Sequence, residues 1–491
     1  MIDVARVSLR PYQEELIARV RARLAAGCRR VVLVAVTGAG KTVMAARMIE
    51  GAVERGRRVL FLAHRTELID QARDKLAGYG IRAGVIQGAR LGDPLAAVQV
   101  ASVQTLARRV VRPRRAAAPG WDGGTVIDPL AGFDLVIVDE AHHATAASYR
   151  AVLDAYPQAA VVGLTATPYR LDGSGLGDLF GAIEAGPQVA ELIAAGWLVQ
   201  PVVYAPPSPA ELAGVRVRAG EFAIDAAERI LDRAAPIEEM VGAWRRHAAG
   251  RLTVGFACTV AHAGHCAAAF RAAGIPAAAI DGTTPAEERA AALASLAAGE
   301  LRVLWNCALL TEGWDLPACS AVLLGRPTMS RALWRQMVGR GLRAAEGKAD
   351  CVVLDHVGAT HRFGLPDDPD EYALDGSVET CGTGVRAARR LACRACHRAF
   401  PAVLPCCPAC GWVVPLSLRR PERAVDEREG LELRPAARMG DEERRAIYLS
   451  LLRRAESKGY APGWAAHRYR ERFACYPPRR WSLDVLELRS A

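Results

Sequence analysis

The feature that most constrains the fold is an apolar run that leads into a glycine-rich turn and a lysine. Residues 31–36 read Val-Val-Leu-Val-Ala-Val, a continuous apolar segment typical of a strand buried in a parallel sheet. The turn after it consists of small residues, so backbone N–H groups and the start of the next helix can face an anion. This pattern predicts a phosphate loop, although its first position is Ala35 where the general pattern has glycine. The residues expected to hold the phosphates and Mg²⁺ are Thr37, Gly38, Ala39, Gly40, Lys41 and Thr42.

An acidic pair ends another apolar strand. The run Leu135–Val138 is followed by Asp139 and Glu140. A carboxylate at a strand end beside a phosphate loop is placed to hold Mg²⁺ through its water shell, and we expect this of Asp139. Glu140 would then orient or deprotonate an attacking water. An ordinary pair of strand-end acids is the alternative, which the phosphate loop upstream disfavours.

Apolar strands alternate with helical segments in two separate series along the 491 residues. Predicted strands lie at 31–36, 58–63, 98–102, 135–138 and 161–164, and then at 252–257, 277–281, 303–306, 321–324 and 351–355. This alternation is typical of parallel sheets covered by helices on both faces. The sequence therefore predicts an α/β protein with two tandem doubly wound domains.

Changes of composition mark the predicted boundaries. Pro206 and Pro207 follow the first series of strands, and an acidic, proline-rich stretch begins near Arg362. The predicted order is a first domain at 1–205, a connecting segment at 206–235, a second domain at 236–362, a linker at 363–384, a cysteine module at 385–415 and a basic helical region at 416–491.

The motifs along residues 5–360 resemble those of superfamily 2 helicases. The tetrad Asp-Glu-Ala-His at 139–142 is the signature by which the resemblance is first recognised. The other motifs stand in the family's order along the chain, at 10–13, 64–71, 102–106, 163–170, 310–317 and 336–343. The resemblance implies RecA-like domains that hydrolyse ATP with Mg²⁺ and act on nucleic acid.

In the first domain, the resemblance implies that Arg10 and Gln13 sense adenine, with Gln13 at the edge of the base. Arg65 and Thr105 belong to segments that contact the nucleic-acid backbone, although these two motifs are weak and ordinary strand-end turns are an equal alternative. The residues implied to couple hydrolysis to strand binding are His142, Thr165 and Thr167.

In the second domain, Arg340 and Arg343 are implied to reach the γ-phosphate held on the first domain, which links hydrolysis to closure of the cleft. Gln336, on the same motif, is assigned to coupling. The other implied contacts are Gly313 and Asp315 toward ATP and Mg²⁺, and Thr311 toward nucleic acid.

Four of the thirteen cysteines form two Cys-x-x-Cys pairs. Cys393 and Cys396 are separated by ten residues from Cys407 and Cys410. Four thiolates in this spacing can hold one structural zinc ion tetrahedrally. His397 and Cys406 are adjacent alternatives for one ligand, and free thiols or a redox pair are the alternative to zinc.

The net charge of +10 lies entirely in the last quarter of the chain, because residues 381–491 carry 22 Lys plus Arg against 12 Asp plus Glu. This asymmetry favours contact with a polyanion, and a solvated arginine-rich face is the alternative. Aromatic residues alternate with arginines at 458–473, where they could stack on bases or form the core of a small helical domain.

The order of helicase motifs, four-cysteine module and this tail resembles the bacterial RadD family. That resemblance implies DNA, single-stranded or branched, as the substrate and a role in DNA repair and recombination, with single-strand-binding protein and RecA as partners. An RNA-remodelling ATPase and an ATP-switched recruitment module with little unwinding are the alternatives.

The first residues carry charge early and contain no apolar signal-peptide segment. No apolar run reaches roughly eighteen residues, the length of a membrane-spanning helix. We therefore expect a cytoplasmic protein that does not enter a membrane.

Overall fold

The computed structural model describes most of the chain up to residue 415 and isolated parts of the remainder. The described residues are 8–63, 66–111, 130, 132–144, 147–169, 175–205, 212, 215–218, 220–310, 314, 316–375, 390–402, 404–415, 444–445, 447–449, 451–452, 455, 464–466, 469 and 477–478. The chain folds as two compact units, Met1–Arg420 and Pro421–Ala491.

The larger unit contains two large sheets, and each forms the centre of a lobe. The strands of the first lobe are β1 Arg30–Val34, β2 Val59–Ala63, β3 Ala83–Gln87, β4 Arg90–Leu91, β5 Val98–Ser102, β6 Leu135–Val138, β7 Ala160–Thr165 and β8 Ala182–Ala185. They lie in the order β4-β3-β5-β2-β6-β7-β1-β8, and all pairs are parallel except β3 with β4. β2, a continuous apolar run, is buried along its whole length, and so is β5, which carries the polar residues Gln99 and Ser102.

Helices cover this first sheet. They are α1 Pro11–Ala25, α2 Lys41–Val53, α3 Thr66–Gly78, α4 Val103–Val111, α5 Ala147–Ala155 and α6 Val189–Ala194, with a 3₁₀ turn at Ala141–His143. α1 begins with Pro11 at its first position and buries Leu16, Ile17 and Val20, the spacing of one helical face.

The second lobe is built in the same way. Its strands are β9 Gln200–Tyr204, β12 Thr253–Ala257, β13 Ala277–Ile280, β14 Val303–Asn306, β15 Ala321–Gly325 and β16 Asp350–Asp355, and a hairpin is formed by β10 Val217–Arg218 and β11 Glu221–Phe222. The six strands are parallel, in the order β13-β14-β12-β15-β16-β9. Its helices are α7 Ile224–Leu231, α8 Ala234–His247, α9 Val260–Ala272, α10 Ala286–Ala298, α11 Arg331–Gly339 and α12 Ala359–Phe363.

Strand β9 lies at the edge of the second sheet, although the sequence-based boundary places residues 200–204 in the first domain. β9 pairs with β16, and Pro201 stands opposite Cys351 in the register. An edge strand tolerates proline because one of its two sides makes no ladder hydrogen bonds. Pro201 is therefore compatible with a strand of the second lobe.

Beyond α12 the chain packs back onto both lobes and then forms the cysteine module. Residues 366–374, inside the predicted linker, contact the first and the second lobe. The module has two short antiparallel strands, β17 Arg390–Ala392 and β18 Ala399–Pro401. It adjoins the end of β9, where the Ala205 N–H donates to the His397 carbonyl at 2.9 Å.

The described residues of the smaller unit, apart from the two prolines at 477–478, are helical and share a small core. Tyr448, Ala455, Ala465 and Tyr469 are buried, and the two tyrosine rings meet edge to face at 5.6 Å between centroids. Trp464 packs against them. The described residues fit the alternative in which the aromatic residues of the tail form the core of a small helical domain.

The predicted fold class is confirmed: two tandem parallel α/β lobes, a four-cysteine module and a helical C-terminal segment. No helix among the described residues combines the length and the apolar character needed to span a membrane.

Candidate nucleotide site

The glycine-rich turn after β1 has the backbone of a phosphate loop. Gly38 and Gly40 have φ of 91° and 83°, left-handed values that favour glycine. A side-chain carbon on Gly40 would lie 2.4 Å from Nε2 of Gln13, so the loop has no room for one. α2 begins at Lys41, directly after this turn, so its unpaired N–H groups face the same space.

Lys41 and Thr42 line the cleft in front of this loop. The Lys41 ammonium donates a long hydrogen bond of 3.4 Å to the Ala35 carbonyl. A bond of that length is weak, so the ammonium is available to an anion placed against the loop.

The predicted acids follow β6 and line the same cleft. Glu140 has φ of 47°, an uncommon conformation for a residue with a side chain, which the structure maintains at a strain of about 1–3 kcal/mol. Its side chain is 12% exposed, and its Oε2 makes no hydrogen bond among the described residues. The backbone N–H of Glu140 donates to Asp139 Oδ1 at 3.1 Å, which fixes the two carboxylates relative to each other.

His142 connects the acids to the end of β7. Its Nδ1 lies 3.2 Å from Thr165 Oγ1 and 3.5 Å from Glu140 Oε2. The Thr165 hydroxyl donates to the Thr167 carbonyl at 2.6 Å and accepts the Thr167 N–H at 3.1 Å. Since the Thr165 proton is already used, Nδ1 of His142 must carry the proton that joins them. The three residues predicted to couple hydrolysis to strand binding therefore form one buried network.

The second lobe contributes two arginines to the cleft. Arg340 follows α11 and is 5% exposed, and its Nη1 donates to the Trp314 carbonyl at 2.6 Å. Arg343 Nη1 donates to the same carbonyl at 3.2 Å. Both side chains line the cleft, so guanidinium groups of one lobe face the phosphate loop of the other.

The cleft between the lobes has a volume of about 370 Å³. Three buried polar atoms on its walls make no hydrogen bond among the described residues: Thr37 Oγ1, Glu140 Oε2 and Gln336 Nε2. Buried polar groups are normally satisfied, so these atoms indicate a polar ligand. The donors and acids around them match the chemistry of a nucleoside triphosphate with Mg²⁺.

The predicted adenine-sensing residues contact the loop and one another. Gln13 is buried; its Nε2 donates to the Ala39 carbonyl at 2.8 Å, and its Oε1 accepts the Arg10 N–H at 2.9 Å. The Arg10 guanidinium lies 4.2 Å from the ring centre of Trp197. Arg10 and Trp197 line the cleft, and Gln13 supports the loop from behind.

Several predicted contacts lie elsewhere. Thr105 is half-buried on α4, where its hydroxyl accepts the Gly88 N–H at 3.2 Å. Four predicted residues lie outside the described part of the chain: Arg65, Thr311, Gly313 and Asp315.

Two residues that line the cleft, and one that holds its wall from behind the lining, were missed by sequence reasoning. Trp197 stacks on Arg10, and Trp314 supplies the carbonyl shared by the two arginines. The Lys348 ammonium donates to the carbonyls of Arg343, Cys319 and Pro317 at 2.7, 2.6 and 2.8 Å. Burial lowers the pKa of this lysine. The scarcity of lysine, with only four in the chain, is the one signal that could have drawn attention to it.

The four predicted cysteines come together in the module. Their sulfur atoms lie within 4.8 Å of one another, with 3.5 Å between Cys393 and Cys410 and 3.6 Å between Cys396 and Cys407. Sulfur atoms about 2.3 Å from a tetrahedral zinc ion would be nearly 4 Å apart, so the set fits zinc.

Backbone N–H donors favour a thiolate at one of the four cysteines. Burial opposes ionisation of the Cys393 thiol, but hydrogen bonds from the backbone N–H groups of Cys396 and Ala395 lower its pKa to about 7. The two alternative ligands, Cys406 and His397, are not members of the cluster.

Two family models match the chain. Residues 6–170 match the model described as "Type III restriction enzyme, res subunit", and residues 234–345 match "Helicase conserved C-terminal domain". The first match contains the phosphate loop and the acids, and the second contains Arg340 and Arg343.

Similar curated proteins come from a phage and from yeasts. A 51.5 kDa protein of a Lactococcus phage is 29% identical over 76% of this chain and 76% of its own length. The Schizosaccharomyces pombe protein named as a mitochondrial ATP-dependent helicase, irc3, is 34% identical over 74% of this chain, and the IRC3 protein of Saccharomyces cerevisiae is 29% identical over 72%. The chain spans 59% and 52% of the length of these two yeast proteins.

Solved structures share the fold. A fragment of a type I restriction enzyme HsdR subunit from Vibrio vulnificus has a TM-score of 0.55 at 24% identity, covering 74% of this chain and 66% of the fragment. The Type ISP restriction-modification enzyme LlaBIII, solved bound to DNA, has a TM-score of 0.50 at 18% identity, covering 78% of this chain and 30% of that enzyme.

Proposed function

Because this chain is an ATP-hydrolysing helicase of superfamily 2, we propose that DNA stimulates its ATPase and that closure of the cleft moves it along a strand. One observation carries the proposal: Arg340 of the second lobe lines the same cleft as Lys41 and Glu140 of the first. A site divided between two lobes links hydrolysis to their relative movement.

The proposed role of each residue follows from its position in the cleft. Lys41 and the loop N–H groups hold the phosphates, while Thr42 and Asp139 hold Mg²⁺. Glu140 orients the attacking water, and Arg340 and Arg343 leave the Trp314 carbonyl to stabilise charge on the γ-phosphate. Bound Mg²⁺ would neutralise charge on the phosphates as the terminal bond breaks.

DNA is the proposed substrate for two reasons. The family model matched by residues 6–170 is named for a restriction enzyme, and the restriction-modification enzyme LlaBIII, which shares the fold, was solved bound to DNA. The excess positive charge lies in residues 381–491, where arginine can neutralise phosphates. The four-cysteine module would serve as a structural zinc platform within that basic region.

ATP hydrolysis should be measured with single-stranded, duplex and forked DNA and with RNA of equal length. We expect single-stranded or forked DNA to raise kcat about ten-fold or more over the basal rate. Equal stimulation by RNA would favour RNA remodelling, and no stimulation by any nucleic acid would favour the ATP-switched recruitment module.

Two variants test the site itself. Glu140→Gln should lower kcat by about 10²–10⁴, the range for loss of a general base, and Lys41→Ala should abolish turnover. The matched control is Glu50→Gln, since Glu50 lies on α2 like Lys41 but pairs with Arg47 at 2.6 Å outside the cleft lining. Normal turnover in Lys41→Ala or Glu140→Gln would refute the assigned site.

The finer part of the proposal is a RadD-like role in DNA repair, with single-strand-binding protein and RecA as partners. It rests on the resemblance of the cysteine module and the basic tail. A titration with purified single-strand-binding protein, monitored by calorimetry, should show binding that removal of residues 421–491 weakens; absence of binding would remove this part while leaving the DNA-stimulated ATPase intact.

A further inference from the structure

Residues 366–374 form a segment that we call the interlobe strap. In the sequence this stretch indicates a linker, because it is acidic and contains two prolines. In the structure it lies against α11 of the second lobe on one side and against the first lobe on the other.

On the second lobe, the strap holds the arginines of α11. Asp370 lies 2.9 Å from Arg335 and 3.3 Å from Arg331. Arg335 also donates to the carbonyl of Asp368 at 3.0 Å and to that of Pro366. The side chains of Arg335 and Asp370 are only 8% and 7% exposed, so this is a buried ion pair with additional hydrogen bonds.

On the first lobe, the strap is held mainly through its backbone. The Gln188 side chain donates to the Asp370 carbonyl at 3.0 Å and accepts the Asp370 N–H at 3.1 Å. The Gly177 N–H donates to the Leu374 carbonyl at 2.7 Å, and the Tyr169 hydroxyl donates to the Glu371 carbonyl.

Asp370 is therefore one of the points at which the two lobes are joined, since its backbone is held by the first lobe and its carboxylate by the second. Burial lowers the pKa of the Arg335 guanidinium and the charge of Asp370 opposes this, so the carboxylate compensates a buried cation. Removing one partner of such a pair is strongly unfavourable because the other stays buried without compensation.

The elements that Asp370 connects lead directly to the cleft. α11 carries Gln336 into the cleft and ends next to Arg340. On the first lobe, Tyr169 donates to the strap, and Thr167, two residues before it in the chain, belongs to the buried network of His142.

We infer that Asp370 is a positioning residue for ATP hydrolysis, which holds α11 in the orientation that directs Arg340 and Arg343 into the cleft. The inference rests on the nucleotide site proposed above. Its effect should fall on the catalytic step, because the carboxylate of Asp370 pairs with arginines of α11, whereas the phosphate loop that binds ATP belongs to the first lobe.

Asp370→Asn keeps the size of the side chain and removes its charge. We expect kcat for ATP hydrolysis to fall about ten-fold while KM for ATP stays within about two-fold, the pattern of a lost interaction made in the transition state. The control is Asp367→Asn, because Asp367 belongs to the same strap but bonds the neutral Gln200 at 2.9 Å. This control should keep the kcat of the unmodified protein.

A second variant acts from the first lobe. Gln188→Ala removes both bonds to the Asp370 backbone at a half-buried position, and it should lower kcat in the same direction without abolishing folding. If Asp370→Asn does not fold, Gln188→Ala decides the question.

Hydrogen exchange of α11 amides, measured without nucleotide, gives a readout independent of activity. Asp370→Asn should speed exchange in Arg331–Gly339 relative to Asp367→Asn. Faster exchange with unchanged kcat, unchanged exchange, or a rise in KM with constant kcat would each overturn the inference. An unmodified protein without ATPase activity would instead refute the proposed function, and the exchange comparison would still test the strap.

Discussion

Gly339, the last residue of α11, abuts Thr37 of the phosphate loop so closely that a side-chain carbon on the glycine would lie 2.4 Å from Cβ of Thr37. Atoms of this kind do not approach so closely, so the second lobe meets the loop with no room for a methyl group. The glycine brings Arg340, its neighbour in the chain, up to the nucleotide cleft.

Gly339→Ala should therefore separate the lobes. Overpacking costs about 1–3 kcal/mol, so we expect kcat for ATP hydrolysis to fall about ten-fold or more. Each lobe should still fold, because the clash lies between the two lobes and not inside either of them. The matched control is Gly341→Ala, where the added carbon would lie 2.4 Å from Sγ of Cys351 inside the second lobe. The two variants should change different quantities. Gly341→Ala should mainly lower Tm, whereas Gly339→Ala should mainly lower kcat. Equal kcat in Gly339→Ala and the unmodified protein would contradict this reading.

Lys348 should position Arg343 through the backbone. Its ammonium joins the carbonyl of Arg343 to those of Pro317 and Cys319. Lys348→Met leaves three carbonyls without this donor, and two of them, those of Cys319 and Arg343, are partly buried. Because the loss releases the backbone that positions Arg343, kcat should fall about ten-fold or more, the equivalent of about 1.4 kcal/mol. Lys348→Arg should not restore it, because a planar guanidinium does not match three convergent acceptors. Steady-state kinetics of both variants test this, and full activity of Lys348→Arg would refute the geometric part of the argument.

Thr165→Val should break the buried network without changing the shape of the side chain. It removes the hydroxyl that contacts His142 and both backbone groups of Thr167. We expect DNA stimulation of ATPase to fall about five-fold or more, since unpaired buried groups cost about 1–3 kcal/mol, with a smaller effect on the basal rate. Thr165→Ser keeps the hydroxyl and serves as the control. If DNA stimulates Thr165→Val as strongly as Thr165→Ser, the network has no part in coupling.

One zinc ion should be bound by the four clustered cysteines. Metal analysis of freshly purified protein is expected to give about one equivalent, and Cys407→Ser should lose it because a closed site needs all four thiolates. Cys406→Ser is a stringent control, since Cys406 is the adjacent residue but is exposed and lies outside the cluster. Less than about half an equivalent in the unmodified protein, or loss of metal in both variants, would contradict the assignment.

The sequence predicted what depends on local pattern. Buried parallel strands such as β2 and β15 are continuous apolar runs, and the phosphate loop is a short motif between a strand and a helix, so both can be predicted from neighbouring residues. The two cysteine pairs are recognised by spacing in the same way, and the structure brings their sulfur atoms together.

What the sequence missed depends on contacts between distant segments. Asp370 and Arg335 are 35 positions apart, and an acidic residue next to proline indicates a linker until the buried cation that it pairs with is known. The role of Lys348 could not be predicted for the same reason, because its acceptors are backbone carbonyls, which every residue type has. The predicted boundary at residue 205 separates β9 from its sheet, because the pairing of β9 with the distant strand β16 leaves no trace in neighbouring residues.

The attachment of the cysteine module to the end of β9 affects how the motor can be divided. A fragment that ends at residue 362, where the helicase motifs finish, would lose the strap and the His397 carbonyl that accepts the Ala205 N–H. The end of β9 would then offer the backbone groups of Tyr204 and Ala205 that the module pairs in the full chain, and an exposed strand edge is a template for pairing with another chain. Such a fragment should self-associate more readily than the full chain, because the module, remote from catalysis in sequence, covers that end of the sheet edge.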